Sequence, residues 1–139
     1  MNPLYAITPI DGRYNNKTRS ISKYFSEFAY IKYRLYIEVN YFLKLINTLD
    51  LSNKELINNK QSEIVRIITN FTLDEAVQIK EIEKETNHDV KAIEYFFKKQ
   101  IQSMGLSEFE EFIHFGLTSQ DINTCALMYS IKKFLHNDF

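Results

Sequence analysis

Three short polar clusters hold most of the side chains able to do chemistry, and each falls at a break between apolar runs. The first is Asp11-Gly12-Arg13-Tyr14. Gly12 permits a turn, and Arg13 carries a planar fork of donors suited to phosphate or carboxylate, although a solvated turn with a surface arginine has the same pattern. The second is Asn87-His88-Asp89. Asn or Asp there can cap the helix that follows. His88 exchanges protons near neutral pH and stands where helix N–H groups favour an anion. The third is His114-Phe115-Gly116-Leu117-Thr118-Ser119-Gln120-Asp121, in which Gly116 frees the backbone and two hydroxyls open a helix. Thr118 and Ser119, with free N–H groups at a positive helix end, make a carboxylate or phosphate cradle, or equally an ordinary N-cap. Three such ends in one small chain predict a shared anionic ligand without identifying it.

The elements that must position these clusters read as helices. Glycine and proline number only 3 and 2, and strict period-2 alternation is absent, so the expected fold is all-α. Phe28, Ile31, Leu35, Val39, Phe42 and Ile46 recur at steps of three and four and predict a helix from about Ser26 to Asn47. Tyr30, Tyr33, Tyr36 and Tyr41 flank that face and are expected to pack with the core. Three capping boxes predict helix starts, at Ser52-Asn53-Lys54-Glu55, Thr72-Leu73-Asp74-Glu75 and Ser107-Glu108-Phe109-Glu110. Between the last two, Val90, Ile93, Phe97 and Ile101 define one face of a further helix, with Glu94 and Lys98 paired on the other. From Ser119 a last helix with apolar Leu127, Ile131, Phe134 and Leu135 runs to Phe139 without a capping signal, which suggests a chain cut short.

Composition removes several functional classes. The 139 residues suit one soluble domain with a real core, at 45% hydrophobic and 25% charged. A net charge of -1 and the lack of a basic block argue against nucleic acid as the main partner. Cys125 is the lone cysteine, the opening residues lack a signal-peptide pattern, and no apolar run nears the ~18 residues of a membrane span, so a cytoplasmic location is expected. No Gly-rich phosphate loop, Gly-x-Ser-x-Gly elbow or His-Glu-x-x-His helix occurs. His88, His114 and His136 are not at metal-ligand spacing, and neither a metal nor a cofactor is expected.

Three stretches carry a family resemblance. They are Pro9-Ile10-Asp11-Gly12-Arg13-Tyr14, Thr86-Asn87-His88-Asp89-Val90-Lys91-Ala92-Ile93-Glu94-Tyr95-Phe96, and the run from Glu111 through Asn123. In order and approximate spacing they resemble the adenylosuccinate lyases of the fumarase/aspartase superfamily, and the Asn-His-Asp and Thr-Ser segments point away from argininosuccinate lyase and fumarase. The resemblance implies the helical amino-terminal domain of that fold over residues 1–118, with 119–139 opening a long central-bundle helix. It implies β-elimination of fumarate from adenylosuccinate, giving AMP, and from the succinyl-carboxamide ribotide of purine synthesis, in an enzyme that is a homotetramer.

The resemblance also implies substrate-binding roles. Arg13 and Tyr14 would hold the phosphate end, Asn87, His88 and Asp89 would line the nucleotide, and Thr118 and Ser119 would grip the succinyl carboxylate, with His114 near the phosphate. The family's general-acid histidine stretch and general-base serine loop do not occur in this sequence, so no catalytic residue is expected in the chain, and alone it is expected to be inactive. The alternative is a non-catalytic helical binding or assembly module.

Overall fold

A computed structural model of the chain describes residues 3–137. Met1-Asn2 and Asp138-Phe139, on which the expectations about leader and chain end partly rest, lie outside the described residues. Among the described residues the regular elements are all helical, so the fold class is all-α as expected. After a 3-10 turn at Pro3–Tyr5 come two short helices, α1 (Asn15–Thr18) and α2 (Ser22–Phe25), separated by a second 3-10 turn at Arg19–Ile21. Then follow α3 (Glu27–Thr48), α4 (Glu55–Thr69), α5 (Leu73–Thr86) and α6 (Asp89–Ser103). A third 3-10 turn at Ser107–Phe112 leads to α7 (Ser119–Asn137).

The helix α3 is the hub, packing against α4, α6 and α7. It begins where the sequence indicates, with the Ser26 hydroxyl accepting from the Ala29 N–H at 3.2 Å. Its Leu35, Val39, Phe42 and Ile46 are wholly buried and meet Ile64 of α4, Ile79 of α5 and Phe97 of α6. Each such side chain contributes about 1.5–3 kcal/mol by leaving water, which makes this face the main source of stability. The flanking tyrosines are only half-buried: Tyr33 and Tyr36 pack on Tyr129 of α7, at ring-centre distances of 5.5 and 4.4 Å.

One of the three capping boxes forms. Thr72 accepts from the Glu75 N–H at 3.3 Å, and the Glu75 carboxylate accepts from the Thr72 N–H at 2.7 Å. The box expected at Ser52 does not form, because residues 52–54 are taken up by a turn and α4 starts one residue after Lys54, which makes no side-chain cap. Nor does the box at Ser107, where the backbone winds as a 3-10 segment and Leu106 is the cap position. Burial of Phe109 and Ile113 against the core sets that tighter path.

One face also differs from expectation. Glu94 is buried rather than solvent-facing, held by Lys91 at 2.8 Å and Lys98 at 3.5 Å. In α7 the buried residues are Ile122, Ala126 and Ser130, at steps of four, while Leu127, Ile131 and Leu135 are 40%, 36% and 53% exposed, as expected of this helix's apolar residues. Small residues let α7 approach α3 closely, and the Ser130 hydroxyl donates to the Tyr24 carbonyl at 2.6 Å.

Candidate binding site

The second cluster is a tight helix-to-helix turn. Asn87 ends α5 in the left-handed region (φ 51), which asparagine tolerates better than most residues, and its N–H donates to the Glu83 carbonyl at 2.7 Å. The N-cap of α6 is His88, not Asn87 or Asp89: its Nδ1 accepts from the Lys91 N–H at 3.1 Å. A backbone N–H can only donate, so the ring proton sits on Nε2. The Asp89 Oδ1 stands 3.8 Å from the same Nδ1, too far for a hydrogen bond, and instead accepts from the Val90 N–H at 2.8 Å.

That assignment decides the next contact. The His88 Nε2 lies 3.2 Å from the Ser119 Oγ, at the first residue of α7, so Nε2–H donates and the serine oxygen accepts. Ser119 keeps its own proton to donate elsewhere. The second and third clusters, 31 residues apart in sequence, thus meet in space. Thr118 is engaged differently, since its N–H and hydroxyl both donate to Asp121 Oδ2, at 2.8 and 2.9 Å. These bonds, the backbone one foremost, hold the Asp121 carboxyl below its ordinary range.

The first cluster stays apart. Arg13 and Tyr14 are exposed, with the guanidinium stacked 4.7 Å from its neighbour's ring centre, and hydrogen bonds run within their segment and to α1. Among the described residues no hydrogen bond or ion pair joins them to His88 or Ser119, so within this chain the second and third clusters meet and the first lies apart.

Three further residues hold the site, all on one face of α3 at positions i, i+4 and i+7. Arg34 donates from Nη2 to Asp89 Oδ2 and from Nε to Asn123 Oδ1, each at 2.8 Å, clamping the start of α6 to α7. Glu38 has its Oε1 2.5 Å from the His114 Nδ1. The Tyr41 hydroxyl donates to the Phe115 carbonyl at 2.7 Å. These contacts pin a turn in which both His114 (φ 59) and Gly116 (φ 72) are left-handed, a conformation that costs a non-glycine residue roughly 1 kcal/mol. Glu38 itself is wholly buried, and burial pushes its carboxyl above the usual range; His114 pulls it down, and Glu94 adds to the rise. Reading α3 as an apolar stripe hid these residues, yet charged and hydroxyl groups recurring at helical spacing inside an apolar helix were the available signal.

A cleft of about 580 Å³ opens beside Asn87, His88 and Asp89, rimmed by Lys80, Glu83 and Lys84. A larger one, about 1080 Å³, lies between α2, α3, α4 and the end of α7, lined in part by Tyr33, Tyr36, Tyr129, Lys32 and Lys133. None of the candidate site residues lines the larger cleft, so the smaller one is the better match to the polar clusters.

An all-helical domain with an asparagine, a histidine and a serine brought to adjoining helix ends has a clear family context. The sequence profile of the lyase family matches residues 12–139, and the chain belongs to that family. Among curated relatives it is 47% identical over 136 residues to the adenylosuccinate lyase of Buchnera aphidicola subsp. Schizaphis graminum, a match covering 95% of this chain and 29% of that protein. It is 46% identical over 135 residues to the adenylosuccinate lyases of Dictyostelium discoideum and of Legionella pneumophila strain Corby, covering 94% and 96% of the chain. The chain therefore spans about 29% of the length of its first two relatives and 30% of the third.

Proposed function

We propose that this chain forms part of the substrate-binding surface of an adenylosuccinate lyase, eliminating fumarate from adenylosuccinate to leave AMP, and from the succinyl-carboxamide ribotide in purine synthesis. The observation that carries this reading is the 3.2 Å contact between His88 Nε2 and Ser119 Oγ, which leaves a serine proton directed by chemistry toward an acceptor such as a carboxylate. In this reading Ser119, with Thr118, holds a succinyl carboxylate, and Asn87, His88 and Asp89 line the nucleotide. The exposed Arg13 and Tyr14 take the phosphate, with His114 close to it. Residues 119–139 open the central bundle of a cytoplasmic homotetramer, and the 1–118 region is its amino-terminal domain. The proton-transfer groups are supplied from outside this chain, so alone it turns over no substrate.

The test is the double change Thr118→Ala with Ser119→Ala in a lyase carrying this domain. Thr118 already donates to Asp121, so the loss is chiefly the Ser119 bond; one charge-assisted hydrogen bond contributes about 1.5–3 kcal/mol, and kcat/KM falls roughly ten- to a hundredfold. If the pair served only as a cap, the loss would instead be about 1 kcal/mol of stability with near-normal kinetics. Near-normal turnover in the double variant would therefore refute the reading.

A further inference from the structure

Glu38 is the one buried side-chain oxygen donor or acceptor set that the fold leaves half-satisfied: among the described residues its Oε2 has no hydrogen-bond partner and no access to water. It stands in an otherwise apolar stretch of α3, between Leu35, Val39 and Phe42, all wholly buried. A leucine there would fill the space without the cost of a desolvated carboxyl. The one group that Glu38 does engage is the His114 ring, whose side chain is 16% exposed and so reaches from the core to the surface.

The position of His114 gives that contact its consequence. It is a non-glycine residue in the left-handed region, it accepts the Leu117 N–H on its carbonyl at 3.2 Å, and four residues later comes Thr118. Its neighbour Phe115 is held by Tyr41, one helical turn beyond Glu38. Histidine enters this region more readily than most side chains but still at a cost, so side-chain anchors help to maintain it. The remaining charged groups packed around Glu38 are on α6, where Glu94 is already paired with Lys91 and Lys98 and offers it no proton.

We propose that Glu38 is a positioning residue, which fixes the proton of the His114 ring on Nδ1 and thereby holds the 114–117 turn so that Ser119 meets His88. The two histidines then carry opposite tautomers. His88 is bare at Nδ1 because it caps a helix, and His114 is bare at Nε2 because a carboxylate holds its Nδ1–H. The importance of this arrangement for turnover rests on the proposed function; the arrangement itself does not.

The test is nitrogen-15 NMR of the histidine rings in the chain as it stands, with Glu38→Gln and Tyr41→Phe. The expected wild-type spectrum shows His114 protonated on Nδ1 and His88 on Nε2 in their neutral forms. Glu38→Gln, which keeps the shape but removes the charge, lowers the Nδ1–H fraction at His114 and speeds hydrogen exchange at the Leu117 and Thr118 amides about tenfold or more. It leaves the His88 ring proton in place. Tyr41→Phe speeds the same amides without moving the His114 proton. A wild-type His114 protonated on Nε2 and bare at Nδ1 overturns the proposal, and this outcome needs no variant to fold. So does a folded Glu38→Gln whose ring protons and turn amides match the wild type, even if its melting temperature falls. Absence of lyase activity in a longer form would refute the proposed function and leave these signals unchanged.

Discussion

The clamp made by Arg34 is the contact whose loss tests the site geometry most directly. Arg34→Met keeps the length and the apolar stem but removes both donors, to Asp89 and to Asn123. Arg34 is 15% exposed and Asp89 38% exposed, so the ion pair is partly screened and contributes about 1 kcal/mol rather than the 3–5 of a fully buried pair. The bond to the Asn123 amide adds about 1 kcal/mol more. The expected loss is therefore about 2 kcal/mol, or a drop of about 6 °C in melting temperature for a domain of this size. Arg34→Lys should recover little, because an ammonium cannot span two acceptors in the fixed fork geometry. The assay is chemical denaturation of wild type, Arg34→Met, Asp89→Asn and the double variant, which isolates the pair term. Because Arg34 ties the start of α6 to α7, the His88 cap and its contact with Ser119 should also loosen, seen as faster exchange at the Lys91 amide. A loss below about 0.5 kcal/mol, or strict additivity in the cycle, would refute the clamp.

The other predictions are smaller. Thr72→Ala should cost about 1 kcal/mol in thermal unfolding, whereas Ser52→Ala and Ser107→Ala, which remove no cap, should each change stability by less than about 0.5 kcal/mol. Glu38 binds its proton more tightly in the folded state than at its ordinary value of 4.5, so its contribution to stability falls as pH rises from 4.5 through the raised value and is level above it. Glu38→Gln lacks that fall, and stability–pH curves that run parallel for the two proteins across this window would contradict the assignment. Leu127, Met128, Ile131 and Leu135 expose a stripe along α7, so the chain should self-associate with rising concentration in sedimentation measurements. Met128→Lys with Leu135→Lys should return it to monomer.

The sequence was most legible where one local pattern decides one local outcome. The apolar period of α3 gave its length to within a residue at each end, and the Thr72–Glu75 box formed in full because nothing nearby competes for either side chain. The same box pattern failed at Ser107, where Phe109 and Ile113 must enter the core and the backbone follows them. On α7 the eye goes to leucine and isoleucine, but the contact face belongs to Ala126 and Ser130, whose smallness brings two helices together and carries no hydropathy signal. The site divides in the same way. Its loops were visible as polar clusters, and their meeting was not, since the His88–Ser119 and Arg34–Asp89 contacts are products of packing between helices far apart in sequence. Arg34, Glu38 and Tyr41 could have been found as a polar stripe inside an apolar helix, although the pattern alone would not have said what each one holds.

What the anion-friendly helix ends can give a ligand depends on which donors are already committed. Several of the donors already have internal acceptors: the Lys91 N–H has His88, the Val90 N–H has Asp89, and the Thr118 N–H and hydroxyl have Asp121. The lysines rimming the cleft are paired too, Lys80 with Glu83 and Glu27, Lys84 with Glu81. An incoming carboxylate meets the Ser119 hydroxyl and first-turn N–H groups of α7 uncommitted, and reaches the Thr118 donors only by displacing Asp121. Exchange of one carboxylate for another leaves the number of hydrogen bonds at Thr118 unchanged, so little affinity is gained there and the energy of binding must come from elsewhere. What Thr118 does gain from Asp121 is a fixed orientation before a ligand arrives. The pair is thus divided in its work: Thr118 sets the start of α7, and Ser119, oriented by the histidine cap of the neighbouring helix, is the member left to donate.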